Sequence, residues 1–221
     1  MSEEFIIRGV KDVAEIEKTP YTERAREKST TELLEKGAAL DPGAPAISFL
    51  TSGEAYDNPV VINYAQFMGR VRQTANMFKD LGLGSNDVVT YVLPNLPQTH
   101  FVLWGAEAAG IANPINPMLE PETIKEICTS AGTKILVALG DMPGTDIWQK
   151  IDAIRNEIPS LEHVVRVNGP SDPSKNIFGY DETVEKYPSD SYTFERVIDP
   201  DDIASLYHTG GTTGTPKLAR R

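Results

Sequence analysis

Residues 87–139 read DVVTYVLPNLPQTHFVLWGAEAAGIANPINPMLEPETIKEICTSAGTKILVAL. Val88 to Leu93 is a short apolar run rich in β-branched and aromatic residues, the pattern of a strand buried on both faces. Pro94-Asn95 is a turn signal, and a helix is predicted from about Pro97 to Gly110. Ile111 to Asn113 is a second short strand. Pro114 and Pro117 mark an irregular loop, and Pro121 suits the first turn of a helix running to Ala131. Lys134 to Leu139 is a third, buried strand. Parallel strands need a long crossover between them, so this alternation predicts an α/β fold with a mostly parallel sheet flanked by helices.

The alternation continues outward in both directions. Upstream, Pro45 to Leu50 and Val60 to Ile62 read as strands around a polar turn at Thr51 to Pro59. Asn63 is placed to cap a helix whose apolar residues Tyr64, Phe67, Met68, Val71, Ala75 and Phe78 recur at three- and four-residue spacing. That helix ends near Gly82 and Gly84. Downstream, Ile147 to Ile158 and Tyr180 to Tyr187 are predicted helices, and Val164 to Val167 a strand. Asp201 and Asp202 lead as a solvated entrance into a last strand, Ile203 to His208. Three regions follow: a charged arm at 1–40, an α/β subdomain at 41–190, and the start of a second subdomain at 191–221.

The arm holds seven Lys/Arg and nine Asp/Glu. Helices are expected at Asp12 to Glu17 and Glu23 to Lys36, the latter supported by an apolar stripe through Leu33, Leu34 and Leu40. Over all 221 residues the net charge is -11, with 40% hydrophobic and 24% charged residues. That composition is globular, and a chain of this length buries roughly 70% of its surface. The negative charge disfavours nucleic acid and anionic lipid as partners. No apolar stretch is long enough to span a bilayer, because FVLWGAEAAGIAN is short and broken by Glu107. The single cysteine, Cys128, cannot form an intrachain disulfide and reads as an inert buried thiol in a cytoplasmic protein. No His, Cys or Asp residues stand at metal-ligand spacing.

The segment most informative about chemistry is YHTGGTTGTPK, residues 207–217. Gly210, Gly211 and Gly214 permit tight turns and close backbone approach. Successive N–H groups in such turns form an anion nest. The hydroxyls of Thr209, Thr212, Thr213 and Thr215 add donors, and Lys217 adds a mobile positive charge. The loop follows a predicted strand, which places it at a carboxyl end, where open α/β sheets bind ligands. It is neither a Walker A loop nor a dinucleotide GxGxxG, because two residues separate Gly214 from Lys217 and Leu218 follows the lysine. Composition alone leaves both a polyphosphate loop and a polar surface turn or tail open.

The segment resembles the phosphate-binding signature of the adenylate-forming enzymes, which include acyl-CoA synthetases. Gly211, Thr212, Thr213, Gly214, Pro216 and Lys217 match that pattern as they stand. Gly210 replaces its serine, Leu218 its final glycine, and His208 takes the aromatic place. Asn63-Tyr64, the stretch Leu83-Gly84 to Asp87-Val88-Val89, Leu93-Pro94-Asn95 and Asn116-Pro117 also resemble family segments. The resemblance implies the N-terminal part of the large domain of an acyl-CoA synthetase-like fold. It implies attack of a carboxylic acid on ATP to give acyl-adenylate and pyrophosphate, then thioester formation with CoA. ATP, Mg²⁺ and CoA are the implied cofactors. Thr209, Gly210, Gly211, Thr212, Thr213, Gly214, Thr215 and Lys217 are the implied phosphate site, Lys217 the implied catalytic residue and His208 an accessory. Residues that family members carry later in the chain are absent, so a fragment without activity of its own is expected. The alternative is a non-catalytic truncated module offering a partner surface. Ala219 to Arg221 are expected to lack regular structure, leaving Ile203 to His208 an uncovered edge prone to self-association.

Overall fold

The computed structural model describes residues 7–24, 27–209 and 217–221. Its centre is a parallel sheet of five strands: β3 (Val88–Val92), β4 (Ile111–Pro114), β5 (Thr133–Leu139), β6 (His163–Val167) and β7 (Ile177–Gly179). Their spatial order is β4-β3-β5-β6-β7, so the chain steps outward once to β4 and then crosses back over β3 to β5. That reversal puts the crossover helices on opposite faces. α5 (Pro97–Ala109) packs beside α4 (Tyr64–Asp80), and α4 also meets α8 (Tyr180–Val184). α6 (Pro121–Ala131) and α7 (Ile147–Ile154) pack together on the other face.

All five residues of β3 are buried, as the unbroken apolar run requires for a strand covered on both sides. The core joins Val89, Val92, Ile135 and Leu136 of the sheet to Phe78, Val102, Ile124, Ile127 and Ile151 of the helices. A polar group inside it pairs through hydroxyls and leaves Asn113 Oδ1 without a hydrogen-bond partner among the described residues. Thr90 and Thr133 meet at 2.5 Å, and Asn113 Nδ2 donates to Thr90 at 2.8 Å. Cys128 lies fully buried beside them, and burial pushes its thiol up to about 12.

Asn63 caps α4 as its position predicts, accepting from Gln66 N–H at 2.8 Å while Gln66 reaches back to Asn63 N–H at 3.0 Å. β1 (Pro45–Phe49) and β2 (Val60–Asn63) form an antiparallel hairpin beside α4. Gly105 allows α4 and α5 to touch, because a Cβ there would meet Thr74 Cγ2 at 2.8 Å.

Several elements differ from expectation. The single helix over Glu23 to Lys36 is instead α2 (Tyr21–Arg24) and α3 (Thr30–Leu40), because Ser29 accepts from Glu32 N–H at 3.1 Å and starts a new helix. The first arm helix, α1, spans Val10–Ile16. Of the leucine stripe only Leu34 packs inward. Leu33 and Leu40 are exposed, and α3 is held by Ala38 and by an ion pair from Glu35 to Arg72 of α4. α7 stops at Ile154 and passes into a 3₁₀ turn at Arg155–Glu157. α8 ends at Val184. The brief strand β7 has too few residues to show any period.

The largest correction lies at the end of the chain. Leu218–Arg220 is a strand, β9, paired antiparallel with β8 (Leu206–His208). Ala219 and Arg220 are therefore ordered, and β8 is not an uncovered edge. The apolar Leu218 drives this, packing against Val88, Ile111 and Leu206 where a disordered tail would leave it in water.

Candidate functional site

The β8–β9 hairpin hangs from the outer edge of the sheet. Ala112 N–H donates to Ala204 C=O at 3.0 Å, and Ala112 and Ser205 form a parallel bridge. β8 thus runs in the direction of β4, and its far end projects past the carboxyl end of the sheet. At the root, Ala204 and Ser205 N–H donate to Arg221 C=O at 2.8 and 3.1 Å. Arg221 N–H returns a bond to Ser205 C=O at 2.9 Å. At the tip, Thr209 N–H donates to Lys217 C=O at 2.9 Å, and the Thr209 hydroxyl to the same oxygen at 3.3 Å.

The predicted site residues are thereby partly placed. Thr209 and Lys217 face each other across the mouth of the loop, both exposed. Gly210, Gly211, Thr212, Thr213, Gly214 and Thr215 lie outside the described residues. His208 is half-buried, and its Nε2 accepts from Asn116 N–H at 3.4 Å. Asn116 Oδ1 accepts from Met118 N–H at 2.9 Å, so Asn116 forms the expected turn after β4 and also meets the hairpin. Among the described residues no group of three His, Cys, Asp or Glu is placed to hold a metal ion. No described helix is long and apolar enough to cross a membrane.

The sequence reading missed what supports the hairpin. Glu107 lies in α5 with 6% of its surface exposed. Its carboxylate accepts from the Thr30 hydroxyl at 2.7 Å, and the Ser205 side chain lies against it. Burial pushes its pKa up, against these polar neighbours and the Arg196 charge. Arg196 itself donates to Glu107 C=O at 2.7 Å and Gly110 C=O at 3.0 Å, satisfying carbonyls that the end of α5 leaves free. Gly110 is required there, since a Cβ would sit 2.7 Å from Asp87 C=O. The available signal was a lone acid in the apolar stretch FVLWGAEAAG, because a buried carboxylate needs partners.

The sequence pattern described as AMP-binding enzyme matches residues 34–220. The chain belongs to the AMP-binding enzyme family, whose acyl-CoA ligase-like members are adenylate-forming. It is 33% identical to a marinolic acid–CoA ligase from Pseudoalteromonas sp., over 97% of this chain and 32% of that protein. It is 30% identical to a crotonobetaine/carnitine–CoA ligase from Salmonella arizonae, over 70% of this chain and 29% of that protein. The chain thus spans about a third of the length of the curated relatives it matches. The fold is similar to that of acetoacetyl-CoA synthetase from Streptomyces lividans, with a TM-score of 0.75 at 19% identity over 87% of this chain and 30% of that one. It is also similar to the anthranilate–CoA ligase AuaEII in complex with anthranoyl-AMP, with a TM-score of 0.72 at 20% identity over 87% of this chain and 34% of that one. The expected α/β architecture and its likeness to acyl-CoA synthetases are both present.

Proposed function

We propose that this chain forms part of an AMP-forming acid–thiol ligase and supplies its polyphosphate-binding loop. The observation that supports the reading is the mouth formed by Thr209 and Lys217, whose backbones pair at 2.9 Å past the carboxyl end of β4 in a chain that the family pattern matches. The carboxylate of an acid substrate would attack the α-phosphorus of ATP, and pyrophosphate would leave. Negative charge grows on that leaving group. The N–H groups and hydroxyls of 209–215 and the Lys217 ammonium are assigned to oppose it. With no acidic cluster among the described residues, Mg²⁺ is taken to arrive on the nucleotide. CoA thiol attack on the adenylate would then give the thioester and AMP. The names of two relatives, a marinolic acid–CoA ligase and a crotonobetaine/carnitine–CoA ligase, support this second step.

The activity is assigned to a chain of the relatives' length. The 221 residues alone are expected to form no thioester, because one phosphate loop does not orient acid, nucleotide and thiol together. The test is acid-dependent ATP–pyrophosphate exchange by the full-length chain across aliphatic and aromatic acids, followed by CoA-dependent AMP release. Exchange with at least one acid is expected. Its absence with every acid, while ATP binds, would favour a non-catalytic module.

A further inference from the structure

We infer that Glu107 is a positioning residue that ties the N-terminal arm to the root of the phosphate-loop hairpin. The inference deepens the proposed function and rests on it for its catalytic consequence. Three separate segments converge on this one buried residue. Thr30, in the first turn of α3, donates to it at 2.7 Å. Ser205, the residue that bridges the sheet edge and pairs with Arg221, sets its side chain against it. Arg196 holds the helix backbone at the same point by donating to Glu107 C=O.

The hairpin needs such a tie. β8 and β9 are three residues each, and one parallel bridge at Ser205 with the apolar contacts of Leu206 and Leu218 on Val88 and Ile111 joins them to the sheet. A two-stranded ribbon is marginal by itself in water. Small cavities of about 200 and 170 Å³ flank the contact between the arm and the 196–204 segment, so packing there is incomplete. The polar contacts at Glu107 then add direction to that small apolar contact. From Ser205 the strand reaches the loop mouth in about 14 Å, at roughly 3.4 Å per residue. A tilt at the root displaces Thr209 and Lys217 without changing either residue. The arm consequently acts on the phosphate site although it lies on the opposite end of the sequence.

Hydrogen–deuterium exchange on this 221-residue chain tests the tie directly. In Glu107→Gln, and in Thr30→Val as a milder variant, amides of 204–209 and 217–221 should exchange about ten-fold faster or more, while β3 and β5 stay protected. Faster exchange confined to residues 28–32, with the hairpin unchanged, would overturn the inference. Glu107→Ala should exceed Glu107→Gln, because glutamine keeps an acceptor for one hydroxyl. In the full-length protein, Glu107→Gln should raise KM for ATP several-fold and leave KM for the acid unchanged. A fall in kcat with both KM values unchanged would mean only a smaller folded fraction and would also overturn it. If the full-length wild type shows no exchange of pyrophosphate, the functional reading fails, and the hydrogen-exchange result alone decides whether Glu107 positions the hairpin.

Discussion

The five-stranded sheet and the β8–β9 hairpin are built in opposite ways. Strands β3 and β5 are apolar runs, buried along nearly their whole length between two layers of helices. Strands β8 and β9 are three residues each, partly exposed, and joined to the body by a few hydrogen bonds and one small apolar cluster. Extensive hydrophobic burial fixes the first, and a small apolar contact of Leu206 and Leu218 with Val88 and Ile111, joined by polar contacts at Arg196 and Asn116, fixes the second. The loop that would handle polyphosphate hangs on the weaker element. Binding loops are commonly drawn from the low-stability end of a structure, where reorganisation costs little.

That contrast is easiest to break from the sheet side. Leu136→Ala removes a fully buried side chain at the centre of β5 and should cost about 2–5 kcal/mol of global stability. Urea unfolding measures it, and a loss under about 1 kcal/mol would show that the sheet core is not the dominant source of stability. A change on the hairpin side should be smaller and more local. Arg196→Ala frees the carbonyls of Glu107 and Gly110, and should cost about 2 kcal/mol and accelerate hydrogen exchange at the hairpin. Equal acceleration across β3 and β5 would contradict the division.

A third test sharpens the comparison through pH. Asp87 sits before β3, and burial raises its pKa, but hydrogen bonds from Lys134 and Gly84 N–H outweigh burial and hold it below the usual value of 3.8. A carboxyl depressed in the folded state adds stability above its unfolded pKa and loses it as pH falls through the folded one. Wild type should therefore lose its advantage over Asp87→Asn below about pH 4, near the free carboxyl's range. The side chain is 36% exposed, so the difference at neutral pH should be small. A pH-independent difference would remove this assignment. The smallest effect concerns Cys128, whose thiol should resist a disulfide reagent at pH 8 until urea opens the sheet. Reaction in native buffer would show that β5 and α6 open more readily than their burial implies.

How far the sequence spoke follows the same division. The sheet strands and α4 to α6 were legible because their signals are long and periodic, and Asn63 even fixed the start of α4. β7 and β9 were not, since three residues carry no period. The break between α2 and α3 was hidden because charge dominates that stretch, and only the Ser29 cap decides it. At the candidate site, the sequence proposed Thr209, Lys217 and His208 from their neighbours in the chain, and the structure places them around the end of the hairpin. Glu107, Ser205 and Arg196 were not, because their meaning comes from contacts across 77 to 98 residues, a separation no local pattern reports.

The central claim is that the loop between β8 and β9 stabilises charge on a leaving polyphosphate. Lys217 tests it most directly, since it is exposed and its removal should leave the fold intact. ATP–pyrophosphate exchange by full-length Lys217→Ala should fall about 100-fold in kcat/KM for ATP, with urea unfolding unchanged. Exchange equal to wild type, in a protein of equal stability, would contradict the account.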